Sequence, residues 1–350
     1  MLAVTALGVV VLLGATAPPA GAHSLTGTQA SNYETTITGL APTVPGLTIR
    51  VIDLGARLEL HNASDHVVEV LGYDDEPYLR VGRTTVERNA RSPATFLNRT
   101  QLLPGPVPPS YDAAAAPVWQ RIGSAGVVRW HDHRAHWMAT SEPPVVSRDP
   151  GRRHVLIPHW TVPLVVDGRP VILSGQVVWV PGPSPVPWVA AAIALGAILL
   201  VAASTRAAVR LTVVALGAAA LVELVLATAA WRWSTASVGG RLGAVAYELG
   251  AALLAIGALV QLARRRSLYA AGPLLLLAGL AVAISGGLAN VTQLFRSQLP
   301  TVLAPTVARV LVAAALGLGV ALAAIGARNL ARREARPVPR IARPTTQGAM

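Results

Sequence analysis

The chain has 350 residues, of which 53% are hydrophobic and 13% are charged. Soluble domains carry a charged fraction of about a quarter, so this composition indicates a membrane protein. The formal net charge of +12 arises after residue 185, where 15 Arg accompany 3 Glu, so it is typical of a membrane-orientation signal and does not support nucleic-acid binding. The lack of cysteine excludes disulfides, thiolate metal sites and cysteine nucleophiles.

Residues 1–22 have the pattern of a signal peptide. Residues 2–16 form an apolar core shorter than the roughly 20 residues needed to cross a bilayer. The sequence AGA at 20–22 fits a small-x-small cleavage site, and cleavage there would make His23 the first mature residue. Because no Arg or Lys precedes the apolar core, two alternatives stay open: the true start lies upstream, or the segment is an uncleaved anchor.

Residues 23–180 predict an extracytoplasmic domain made of β-strands. Residues 48–53 (TIRVID) and 57–61 (RLELH) alternate with period two, which is typical of half-buried strands. Asp167 and Gly168 separate two further apolar runs and predict a tight hairpin. We expect an all-β sandwich of immunoglobulin or cupredoxin type, with a loop-rich excursion at about 74–117.

A Pro-rich linker at 181–187 leads to a predicted bundle of five transmembrane helices at 188–327. The segments lie at about 188–204, 207–230, 243–263, 269–289 and 306–327. Arg residues concentrate in the first and third connections and in the Arg-rich tail at 328–350. The positive-inside rule therefore predicts a multi-pass cell-membrane protein with its N-terminal domain outside and its tail in the cytoplasm.

A cluster of histidines marks the stretch 127–140, VVRWHDHRAHWMAT. If this stretch is a strand as far as His133, then His131 and His133 project from one face and Asp132 from the other. Imidazoles without thiols suit copper, with zinc as the alternative, and a bend would bring in His136. Met138 adds a soft ligand nearby. The alternative is structural: the imidazoles bond to backbone carbonyls, and Asp132 pairs with Arg134.

His23 strengthens the metal hypothesis, because a mature N-terminal histidine offers both its amine and its ring to Cu(II). The cleaved start at His23, the β-rich class and the pair Asp132 and His133 resemble periplasmic copper-resistance proteins of the CopC type. This likeness implies a Cu(II)-binding β-sandwich, although that family's internal motif is not reproduced. The segments DEPYLRV, SPATFLN and RWHDHRAHWM are similar to a group of actinobacterial membrane proteins with a secreted N-terminal domain, which implies no particular chemistry.

Charged side chains inside the membrane are costly and normally face a partner or a cavity. Glu223 and Glu248 lie at similar depths in consecutive predicted helices, roughly 11 Å below the outer boundary. Arg309 lies near the outer start of the last helix. These three residues predict either a Glu–Arg clamp that fixes the bundle or an outward-open polar pocket that receives an ion or a proton.

These features predict a protein that binds lipid and handles or delivers copper, with an envelope protein or copper chaperone as a possible partner. The alternative is a metal-free scaffold or assembly module that docks another membrane or secreted protein. Nucleophile–base pairs, phosphate loops and nucleotide motifs are missing from the sequence, so we do not expect a conventional hydrolase or ATPase.

Overall fold

A computed structural model describes residues 28–100, 105–139 and 141–334. An antiparallel β region is followed by a helical region, which confirms the predicted order of a β-rich part and a helical part. The predicted signal peptide, His23 and the end of the Arg-rich tail lie outside the described residues. The described strands are β1 (Tyr33–Ala41), β2 (Leu47–Ile52), β3 (Arg57–Asn62), β4 (Val68–Leu71), β5 (Pro77–Val81), β6 (Val86–Asn89), β7 (Trp119–Gly123), β8 (Val127–Trp130), β9 (His154–Val166) and β10 (Arg169–Trp179).

Among the described residues the strands form two antiparallel sheets. The larger sheet has the order β1-β10-β9-β4-β5-β6-β7, and the smaller one has the order β2-β3-β8. Period-two alternation places Leu58 and Leu60 of β3 in the same hydrophobic core as Val68 and Val70 of β4. Residues of both sheets therefore contribute to one hydrophobic core.

The hairpin predicted at Asp167 and Gly168 is confirmed. Val166 pairs with Arg169 across the turn, and both turn residues have positive φ, as two-residue hairpins with a type I′ geometry require. The expected loop-rich excursion at 74–117 is wrong in part, since it contains β5, β6 and a short helix, α1 (Pro93–Leu97). Ser92 accepts a hydrogen bond from the backbone N–H of Ala94, which starts that helix.

The described helices are α1 (Pro93–Leu97), α2 (Pro144–Arg148), α3 (Val186–Ala202), α4 (Ala208–Trp233), α5 (Val238–Arg265), α6 (Leu268–Val282) and α7 (Pro305–Glu334). Four helical segments within the described residues are long and apolar enough to cross a membrane, at Ala208–Trp233, Val238–Arg265, Leu268–Leu294 and Pro305–Arg332. The sequence predicted five. The first segment is a helix of 17 residues, about 26 Å long at 1.5 Å per residue, which is shorter than a hydrocarbon core of about 30 Å.

The helix α6 does not continue regularly to its predicted end. At Val282 it passes into a π-helical turn, Ala283–Gly287, and then into a 3₁₀ helix, Leu288–Leu294. Single π-turns inside α-helices are frequent at functional sites because they redirect side chains and backbone groups. Here the π-turn places Ser285 and Gly286 against α4, as described below.

Specific hydrogen bonds join the β region to the segments that connect the long helices at one end of the helical region. Ser31 and Gln298 form an isolated antiparallel bridge, and Ser297 Oγ donates to the carbonyl of Val180 at 2.8 Å. A short 3₁₀ turn at Asp53–Gly55 lies at the same junction. Arg57 pairs with Asp53 and donates to Thr235 Oγ1 at 3.0 Å, which connects this turn to the connection after α4.

Candidate functional site

The histidine stretch is not a continuous strand. Strand β8 ends at Trp130, and a 3₁₀ turn occupies His133–Ala135. Asp132 starts this turn, because its carboxylate accepts a hydrogen bond from the backbone N–H of Arg134 at 3.2 Å. The predicted placement of His131 and His133 on one strand face is therefore wrong, and the turn instead supplies the bend that His136 needs.

Asp132 is occupied by other partners. Its buried carboxylate accepts hydrogen bonds from Trp130 Nε1 at 3.0 Å and from Arg134 Nε and Nη2 at 2.8 and 2.9 Å. The pairing with Arg134 that the sequence suggested as the alternative is confirmed. Asp132 thus fixes the turn that carries the histidines, and we assign it no place among the metal ligands.

Each of the three imidazoles contacts a backbone carbonyl oxygen through one ring nitrogen. The distances are 2.7 Å from His131 Nδ1 to Ala56 O, 3.0 Å from His133 Nε2 to Thr100 O, and 3.2 Å from His136 Nδ1 to Trp137 O. Because a carbonyl oxygen can only accept, these nitrogens carry the proton in the neutral rings and the opposite nitrogens carry lone pairs. This arrangement is the usual outer support of metal-ligating histidines.

Two of the lone-pair nitrogens have no protein donor. His133 Nδ1 and His136 Nε2 are buried and lack a hydrogen-bond partner among the described residues. Their rings meet edge to face, with centroids 5.6 Å apart. Burial lowers the pKa of His136, and it also lowers the pKa of His131. Lower pKa values keep these rings neutral, which is the form that binds a metal.

A cavity of about 490 Å³, here called the histidine cavity, adjoins this group. His131, His136 and Trp137 line one side, and Thr28 lines another. His23 lies outside the described residues, five positions before Thr28.

The described residues do not complete a metal site on their own. Within them, no group of three His, Cys, Asp or Glu side chains is placed to hold one ion. Met138 is half-buried two residues after His136, and its role as a ligand stays a prediction. A metal at the His133–His136 pair would need a further ligand from outside the described residues.

The two intramembrane acids, Glu223 and Glu248, differ from each other in their surroundings. Glu223 is fully buried on α4 and accepts a hydrogen bond from Ser285 Oγ at 2.9 Å. Its other oxygen packs against Gly286, where a Cβ atom would lie 2.3 Å away. Glu248 on α5 is buried, and its Oε2 has no hydrogen-bond partner among the described residues.

Arg309 does not pair with either acid, so the predicted Glu–Arg clamp is wrong. Its guanidinium donates to the carbonyl of Gln293 at 3.0 Å and to that of Arg296 at 2.9 Å. The end of the 3₁₀ helix leaves carbonyl groups without intrahelical partners, and Arg309 satisfies them. In the described part of the chain, neither Glu223 nor Glu248 forms an ion pair with any residue.

Sequence reasoning missed three polar residues on the segment after α6, of which Ser285 and Gln293 are buried. Ser285, Asn290 and Gln293 interrupt an otherwise apolar stretch, and this interruption was a usable signal. Asn290 Nδ2 donates to the carbonyl of Ser285 at 3.0 Å, and Gln293 Nε2 donates to Asn290 Oδ1 at 2.8 Å. The π-turn that contains Ser285 and precedes Asn290 and Gln293 has no signature in the hydrophobic periodicity of the sequence.

We compared the whole chain with protein-family models, with curated proteins and with solved structures. None of the three comparisons finds a match.

Proposed function

We propose that this protein is a multi-pass membrane protein whose outer domain captures copper and passes it to an envelope protein or a copper chaperone. The outer domain would be a β-sandwich of the immunoglobulin or cupredoxin class, outside the cell after signal-peptide removal. The Arg-rich tail would lie in the cytoplasm, with α3 as a fifth, short span. The distribution of Arg supports this orientation.

One observation carries the metal proposal. The His133–His136 pair presents two buried lone-pair nitrogens without protein donors, and each ring is held by a carbonyl on its other nitrogen. A structural histidine usually satisfies both nitrogens or leaves one in water, because a buried unpaired acceptor costs about 1–3 kcal/mol. A metal ion bound by these nitrogens would remove that cost. Two unpartnered nitrogens in neighbouring buried rings therefore favour a ligand over packing alone.

The third and fourth ligands in this proposal come from His23. Its free amine and its ring would add two nitrogens to those of the pair, which gives the tetragonal nitrogen set that Cu(II) prefers. The rings of His23, His133 and His136, together with a water molecule, would suit tetrahedral Zn²⁺, which is the alternative metal. His131 lines the histidine cavity beside His136 and would guide an arriving ion. The proposed role is capture and delivery, without catalysis.

The test uses the full-length chain purified from membranes, with the mature N-terminus established by intact mass. We expect one Cu(II) per chain with the electron paramagnetic resonance signature of nitrogen ligands. His133→Ala and His136→Ala should weaken binding by more than the roughly 10–100-fold that outer supporting residues cost. One residue inserted before His23 should weaken it similarly, because the insertion displaces the amine.

His154→Ala is the matched control. His154 Nε2 also contacts a carbonyl, that of Asp149, at 2.7 Å, so this variant removes the same type of contact outside the histidine turn. Copper binding should be unchanged in it. If the wild type binds no Cu(II) or Zn²⁺, or if all variants bind equally, the metal proposal is refuted.

A second candidate function is docking of another protein, and the free edge of the larger sheet favours it. Among the described residues, strand β7 ends that sheet; Ile122 within it is 45% exposed, and Val118 just before it is 47% exposed. Unpaired edge strands with apolar side chains invite an added strand. Under this function a co-purified partner should survive chelation and be lost in Ile122→Lys.

A further inference from the structure

A second cavity, here called the junction cavity, has a volume of about 520 Å³ and lies between the outer domain and the helices. Asp53 and Arg57 of the outer domain line one end, and Glu248 lines the other. Glu248 is ten residues into α5, about 15 Å along the helix axis. The junction cavity thus reaches from the β region to a buried carboxylate at membrane depth.

The hydrogen bonds around this cavity leave acceptors without donors. Asn290 Nδ2 faces the carbonyls of Ser285 and Gly286 at 3.0 and 3.4 Å, which fixes the orientation of its amide. Its Oδ1 accordingly accepts from Gln293 Nε2. The chain of donors ends there, because Gln293 Oε1 is buried and has no partner among the described residues. Glu248 Oε2 is likewise buried without a hydrogen-bond partner among the described residues.

The charges that line the cavity do not cancel. Asp53 and Arg57 form an ion pair with each other. Glu248 therefore contributes one carboxylate without a counter-charge. An isolated carboxylate in a low-dielectric interior is strongly disfavoured and normally has a partner. A ligand with a single positive charge would supply the counter-charge that Glu248 lacks among the described residues.

The size and the walls distinguish an organic cation from a metal ion. Ca²⁺ takes six to eight oxygen ligands and Mg²⁺ needs an octahedron of them, whereas the carboxylates that line this cavity are Glu248 and Asp53, and Asp53 already pairs with Arg57. Its volume lies within the range of about 300–1,000 Å³ that is usual for small-molecule sites. Leu226, Trp233 and Tyr247 line it, which gives an apolar wall with aromatic rings that attract cations.

We propose that the junction cavity binds a small organic amine with one positive charge. Its ammonium group would donate to the carboxylate of Glu248, and its apolar body would contact Trp233 and Tyr247. Glu223 is bonded to Ser285 and is not among the residues that line the cavity. This proposal does not rest on the proposed copper function, since it uses none of the histidines.

The experiment is calorimetric titration of the full-length chain in phosphatidylcholine nanodiscs, with empty nanodiscs subtracted. The probe is n-butylammonium chloride, and n-butanol carries the same body without the charge. We expect saturable binding of one butylammonium per chain and much weaker binding of butanol. Glu248→Gln should weaken the amine at least about 30-fold, because it removes one partner of a buried charge pair.

Two further variants keep the result interpretable. Ala244→Phe fills the cavity without changing a charge and should weaken the amine about tenfold. Glu142→Gln makes the same chemical change at an exposed site and should have no effect. Binding of Cu(II) should be unchanged in Glu248→Gln, which separates this inference from the proposed function. Equal binding of butanol, one-for-one competition by Na⁺ or K⁺, or unchanged amine binding in both Glu248→Gln and Ala244→Phe would overturn it.

Discussion

The substitution Asp132→Ala tests whether the buried Asp132–Arg134 pair holds the histidine turn. The side chain of Asp132 is 0% exposed and that of Arg134 is 20% exposed. Removing one partner of a buried pair costs about 3–5 kcal/mol, because the other charge is left uncompensated. Arg134 keeps its bonds to the carbonyls of Gly72 and Leu71, so we expect the lower end, about 3 kcal/mol.

For a folding unit of 150–250 residues, each kcal/mol shifts Tm by about 2–4 °C, so we expect a decrease of about 6–12 °C for the outer domain. The assay is thermal unfolding of the full-length chain in micelles, followed by tryptophan fluorescence. Trp130 is a suitable reporter, because its indole N–H donates to Asp132. Asp132→Ala should also weaken copper binding, since the turn orients His133 and His136.

The matched control is Asp65→Ala. Asp65 also pairs with an arginine, Arg83, at 3.1 Å, but the two side chains are 90% and 64% exposed. Exposed pairs contribute about 0–1 kcal/mol, so Tm should change little. If Asp132→Ala lowers Tm no more than Asp65→Ala does, then the pair does not hold the turn, and the reasoning about the histidine geometry is refuted.

Three further predictions concern packing, pH and metal. Gly286→Ala should destabilise the bundle by about 1–3 kcal/mol in thermal unfolding, because the added Cβ would lie 2.3 Å from Glu223 Oε1. The control is Gly250→Ala on α5, where an added Cβ has no atom within 4 Å, so this change should be neutral or stabilising. Burial lowers the pKa of His136, so the unfolded chain binds more protons than the folded chain does. The metal-free protein should therefore lose stability as the pH falls below about 6.5. His136→Gln should reduce the loss of stability between about pH 7.5 and 5.5 relative to the wild type. Saturating Cu(II), at about 100 times Kd, should stabilise the fold by about 2.7 kcal/mol, and a chelator or His133→Ala should remove the effect in the same melting assay.

Local pattern was enough to predict much of the fold. Alternation in β2 and β3, the Asp167-Gly168 hairpin and the long apolar helices depend on neighbours in sequence, and the structure has them where the residues indicate. The pairing of Asp132 with Arg134 was also foreseeable, because the two residues lie two positions apart. Helix α3 also lies where the sequence placed its first span, but its 17 residues make it shorter than the four other membrane-length segments.

The candidate sites depend on contacts between distant segments, which a single sequence does not give. His131 meets Ala56 and His133 meets Thr100, and neither carbonyl has a sequence signal. Arg309 was expected to meet a carboxylate, but the π-turn and the 3₁₀ helix present carbonyls to it instead. Periodicity reports which face is apolar; it does not report where a helix changes its winding.

The short turn at Asp53–Gly55 separates the histidine cavity from the junction cavity, and residues of this turn line both. Asp53 and Leu54 have φ values of 52° and 56°, a left-handed conformation that costs a non-glycine residue about 1–2 kcal/mol. A ligand that binds in one of the two cavities and moves this turn also changes the shape of the other cavity. Thermodynamic reciprocity then requires each occupant to alter the affinity for the other by the same factor. Capture at the surface and occupancy at membrane depth would in that case be a single coupled equilibrium.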